Sequence, residues 1–169
     1  MNCIRGAVMT CALLLLCGCE RMSDKDRLKL IIPNAVETTP VRGKILVDGA
    51  PVKDLWVTLH PVGGTKETLR PKAQTDAKGN FAITSYIGGD GAPAGSYKVT
   101  VEWLTFQQFG SSWGGPTKLE DSFAKPETTP FSVTVEESPV DLPTYEVTAK
   151  SPADVKKSAP TSRADMKRK

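Results

Sequence analysis

Between Val41 and Val147 no stretch carries a helical apolar period long enough to bury one face of a helix. Short alternating or β-branched segments recur instead, with Gly, Pro, Asn and Asp between them. That texture restricts the region to sheets. Seven segments qualify as strands: 41–47, 55–61, 72–75, 81–84, 96–103, 131–135 and 142–147, of which 72–75 is the weakest. The first closes on Asp48-Gly49, a strong hairpin signal. In the second, Val57 and Leu59 share one face while Trp56, Thr58 and His60 take the other, as a period of two demands. Asp76 to Asn80 turns the chain into Phe81 and Ile83, and Ala94-Gly95 opens a strand with Tyr97, Val99, Val101 and Trp103 on one side. About 110 residues can bury a workable core without cross-links. The expected fold is all-β, a seven-stranded sandwich over 38–149.

The order of these pieces carries a resemblance. Val41-x-Gly43-x-Ile45, Asp48-Gly49-x-Pro51-Val52, Val57-x-Leu59-x-Pro61, Thr75-Asp76-x-x-Gly79-x-Phe81 and Gly95-x-Tyr97-x-Val99 together resemble the transthyretin-like, carboxypeptidase-regulatory-like domain. The resemblance implies a Greek-key sandwich of about seven strands, prealbumin-like in architecture, and supplies no activity, because fold alone does not license function. The family's enzymatic branch, the hydroxyisourate hydrolases, uses several histidines, an arginine and a C-terminal Tyr-Arg-Gly-Ser. This chain has one histidine and ends Lys-Arg-Lys.

The first 18 residues read as an export signal. Arg5 supplies positive charge, and Ala7 to Leu16 is an apolar run of ten residues. A membrane span needs about 20. The run ends in Leu16-Cys17-Gly18-Cys19, which resembles the lipobox of bacterial lipoproteins. That resemblance implies cleavage between Gly18 and Cys19 and lipidation of Cys19. A thiol takes up a diacylglyceryl group as a thioether, and a small residue before it lets the peptidase reach the bond. Cys17 fails as an alternative, because Leu16 would occupy the position that must be small. All four cysteines, Cys3, Cys11, Cys17 and Cys19, lie in this region, so cleavage removes three and lipid occupies the fourth. The mature core is therefore expected to rest on packing alone. Two or more acyl chains anchor stably where one holds weakly. Glu20 follows the cysteine in place of the aspartate associated with inner-membrane retention, which favours the outer membrane.

Residues 19–37 form the expected tether, with a solvated Asp24-Lys25-Asp26-Arg27 and an apolar Leu28 to Ile32 stopped by Pro33. That run suits either a turn of helix or a strand paired with the domain edge. From 150 to 169 the chain has seven bases against two acids and no aromatic residue, while 38–149 has ten bases against thirteen acids. The tail is expected to be a disordered basic extension.

Few residues offer chemistry. His60 is the only histidine and precedes Pro61, so any triad would have to be built on it; a surface role is the expectation. Without a free cysteine, a His/Cys metal cluster is excluded, and Asp76, Asp90 and Asp121 lack the spacing of a calcium loop. They read as turn-forming acids, and no metal or cofactor is expected. The informative stretch is 103–116, where Trp103, Phe106, Phe109 and Trp113 crowd a segment with Gly110, Gly114 and Gly115. Aromatics on such a loop can centre a protein contact or stack on sugar rings. The plainer reading ends a core strand at Trp103 and uses the phenylalanines to cover one end of the sandwich. The expected function is a non-enzymatic, membrane-anchored envelope module that binds a protein, or a glycan through 103–116, or serves a structural part. Export leaves nucleic acid out.

Overall fold

The computed structural model describes residues 23–65, 67–107 and 112–158. Gly18, Cys19, Phe109 and the tail beyond Ser158 lie outside the described residues. The described residues are all-β apart from three short helices, of which only α2 (Asp121–Ala124) lies within the domain, and no helix among them is long and apolar enough to cross a membrane.

All seven expected segments hold strands: β1 (Val41–Val47), β3 (Trp56–Pro61), β4 (Lys72–Gln74), β5 (Asn80–Ala82), β6 (Gly95–Glu102), β9 (Ser132–Val135) and β10 (Val140–Val147). The count nevertheless reaches ten, because β2 (Ala50–Pro51), β7 (Thr105–Gln107) and β8 (Ser112–Gly114) add to them. These arms of two or three residues are too short to leave a period in the sequence. β2 is the return arm of the Asp48-Gly49 turn, where φ of 49° and 79° supply the two positive values a type I′ hairpin requires.

One sheet centres on β1. β10 runs parallel along one of its edges, and the antiparallel β2 and β5 divide the other. The second sheet runs β4-β3-β6-β9, antiparallel throughout. Val41, Ile45, Val47, Phe81, Tyr145 and Val147 of the first pack in a single cluster with Val57, Leu59, Tyr97, Val99, Val101 and Val135 of the second. The alternation read from the sequence thus selects the inward faces.

Gly43 shows why one inward position is empty of side chain. It lies directly opposite Phe81, and a Cβ there would stand 2.6 Å from Phe81 Cζ and 3.1 Å from Leu142 Cβ. The register against β10 slips at the same place, since Arg42 pairs Asp141 but Lys44 pairs Thr144. Pro143, which has no N–H to give, falls in that bulge.

The tether resolves to helix α1 (Asp24–Ile31). Ser23 caps it: its Oγ accepts from Asp26 N at 3.2 Å and donates to Asp26 Oδ2 at 2.7 Å. The tail corrects an expectation. A helix, α3 (Pro152–Ser158), forms where disorder was expected from Lys150 on. Ser151 Oγ accepts from Asp154 N at 3.3 Å and donates to Asp154 Oδ2 at 2.6 Å, and Pro152 sits where a helix tolerates proline best. Composition alone overlooked that local cap.

Candidate functional site

Two of the four aromatics expected to form a site come together. β7 and β8 form a hairpin in which Phe106 lies directly opposite Trp113, with ring centroids 5.4 Å apart at 65°. Trp113 in turn meets Trp56 edge-on, at 6.4 Å and 78°. Trp56 belongs to the face of β3 that points away from the core, so the hairpin is pinned to the outer face of the second sheet. Phe106 is 48% exposed at the end of this chain of rings.

Trp103 does not join them. Its N–H donates to Thr117 Oγ1 at 3.1 Å, its carbonyl accepts from Lys118 N, and its ring packs against the core with Lys118 Nζ 4.9 Å from its centroid. A separate stack of Phe123, Phe131 and Tyr145, at 5.8 Å and 4.2 Å, packs with the core. Trp56 is the member that sequence reasoning passed over. Its place on the outward side of an alternating strand was legible, but not the distant hairpin that covers it.

The outer face continues from Trp56 as a polar strip. Successive cross-strand pairs are Trp56 with Glu102, Thr58 with Thr100, and His60 with Lys98. Lys72 Nζ, from β4, stands 5.6 Å from the Trp56 ring centroid. The Trp56 indole nitrogen is buried and has no hydrogen-bond partner among the described residues. Glu102 is half-buried, and desolvation pushes its carboxyl above the usual range.

His60 Nε2 lies 2.9 Å from Thr100 Oγ1. Burial holds the imidazole below its ordinary pKa, the Arg70 charge adds to that, and Glu127 opposes it. The histidine is thus half-buried rather than a free surface group, because the next strand offers it a hydroxyl. Thr100 itself is 2% exposed. The pair can share a proton but offers a substrate no approach to the hydroxyl.

The aspartates serve turns and a surface pair. Asp76 accepts from Lys78 N and Asn80 N, both at 2.8 Å, and these bonds hold its carboxyl below the usual range. Asp90 collects the N–H groups of Ser85, Tyr86 and Ile87 at 2.7, 3.0 and 3.2 Å. Asp121 pairs with Lys150 Nζ at 2.6 Å. Among the described residues no group of His, Cys, Asp and Glu could hold a metal. A cleft of about 910 Å³ opens at the tether end of the domain, between Leu28 and Val36 on one side and Ile87 and Pro139 on the other.

No family model matches the sequence, and neither does any curated protein. Over 66% of its length the chain is similar to the crystal structure of a 9R-lipoxygenase from Cyanothece PCC8801, at 16% identity and a TM-score of 0.35. It spans 16% of that chain, and a likeness so low carries no argument about fold or activity.

Proposed function

We propose that this chain is a lipid-anchored binding module of the bacterial cell envelope, a transthyretin-like β-sandwich that presents an aromatic hairpin to an envelope protein. In this reading β1, β3, β4, β5, β6, β9 and β10 are the seven strands of the Greek-key family, with β2, β7 and β8 added to them. Attachment is through acylated Cys19, on the lipobox reading of Leu16-Cys17-Gly18-Cys19, and the outer membrane is the proposed site.

One observation carries the binding role. Phe106 is exposed, yet Trp113 backs it and Trp56 backs Trp113, so the apolar surface is held by a sheet. Rigid aromatics lose little entropy on association and dominate the centres of contacts. No catalytic role is proposed for His60, because its one hydroxyl partner is enclosed. A glycan is the second reading, favoured by the strip of Thr58, His60, Lys98 and Glu102 beside the indole of Trp56. An enzyme is the reading with least support.

Covalent capture in the intact envelope tests the first reading. The wild-type protein should retain one specific envelope protein, and Trp113→Ala should lower that yield about tenfold or more, the effect of removing a contact's anchor. Equal recovery with both would refute it. A saturable change of tryptophan fluorescence with an oligosaccharide, absent in Trp113→Ala, would favour the glycan instead. No change across a broad sugar panel removes that reading.

A further inference from the structure

Six large hydrophobic side chains stand exposed among the described residues, and four of them fall in seven consecutive positions of the tether. Leu30 is 72% exposed, Ile31 74%, Ile32 37% and Val36 57%; the others are Val62 and Phe106. A segment that serves only as a solvated spacer gains nothing from such residues. The β domain, by contrast, gathers most of its apolar side chains into one buried cluster or packs them against it.

Helix geometry separates the two sides of α1. Leu28 lines the cleft toward the domain. Two residues along an α-helix turn about 200°, so Leu30 faces away from that cleft. Position matters as well. Only four residues lie between Cys19 and Asp24, and each spans at most about 3.6 Å. An acyl-bearing Cys19 therefore keeps α1 within reach of the bilayer surface. Arg27 and Lys29 are interleaved with the apolar residues, and Asp26 is engaged in the cap with Ser23. Long basic side chains extend apolar stems while their charges stay with anionic headgroups.

We propose that the outward side of α1 lies in the interface of the membrane that carries the lipid, with Leu30 and Ile31, which do not line the cleft, as a second, non-covalent contact. The tether then works as a foot. It sets the domain at a fixed height and leaves the Phe106 hairpin free for its partner. This inference rests on lipidation of Cys19.

The test uses the full lipidated protein, with an environment-sensitive fluorophore on Leu30→Cys, on Ile31→Cys, and on Val62→Cys as the exposed control. Each is placed in vesicles of phosphatidylethanolamine with a minority of phosphatidylglycerol. Labels at 30 and 31 should shift to the blue and lose most of their emission to a quencher carried on the lipid, while the label at 62 does neither. Quenching at 30 no greater than at 62 overturns the proposal. So does a blue shift that the lipid-borne quencher leaves intact, which would put a protein or a second copy on this surface. The mass of the N-terminal peptide from the same preparation separates the two claims. A diacylated Cys19 without quenching refutes the foot alone, and a free thiol refutes the anchor.

Discussion

Gly43 and Glu102 put the two faces of the sandwich to work in opposite ways, and each is open to measurement. At Gly43 a methyl group would stand 2.6 Å from the Phe81 ring, so Gly43→Ala should cost about 1–3 kcal/mol through forced repacking. Equilibrium urea unfolding reads this directly, and pairing it with Phe81→Leu should return part of the loss if the clash is the cause. At Glu102 the sign follows from linkage. Its folded pKa lies above the unfolded value, so the folded state holds the proton more tightly. The cost of its charge is absent below the unfolded pKa, 4.5, and grows as pH rises through the folded one. Glu102→Gln should therefore raise the melting temperature at pH well above that window and leave it little changed in acid; an equal effect at both would contradict the assignment. Val57, Leu59, Tyr97 and Val99 were legible as core from alternation alone. The pairing of Gly43 with Phe81 was not, because it depends on register between strands far apart in the chain.

The elements divide by length in the same way. Strands such as β1 and β6, with seven and eight residues, announce themselves through period and flanking turns. The β7–β8 hairpin does not, since each arm has three residues and its stability comes from Phe106 on Trp113 and Trp113 on Trp56. Edge contacts of this kind contribute about 0.5–1.5 kcal/mol each beyond area burial. Trp113→Ala should thus lower stability by about 1–3 kcal/mol while the far-ultraviolet signature of the two main sheets persists. Collapse of the whole sheet signal would mean that the ring is core rather than platform. Both helices flanking the domain carried a readable signal, Ser23-x-x-Asp26 and Ser151-x-x-Asp154. Polar composition masked it, because such caps are local and outweigh a low apolar content only over a turn or two.

At the scale of the molecule, apolar surface is distributed by task. The sheets bury theirs between them, one hairpin exposes Phe106 on a rigid backing, and the tether exposes Leu30, Ile31 and Val36 beside the proposed anchor. A module held at a membrane by one end and binding by a face of its sheet accounts for that distribution. The aromatic crowding at 103–116 pointed to the hairpin, yet Trp103 turned inward and Trp56 took its place, a substitution that only the packing of distant segments reveals. The account depends first on how the chain is attached. Mass spectrometry of the protein purified from its native membrane is the direct measurement. The account predicts an N-terminal peptide beginning at Cys19 with a thioether diacylglycerol. A retained leader, or an unmodified thiol at Cys19, would contradict it.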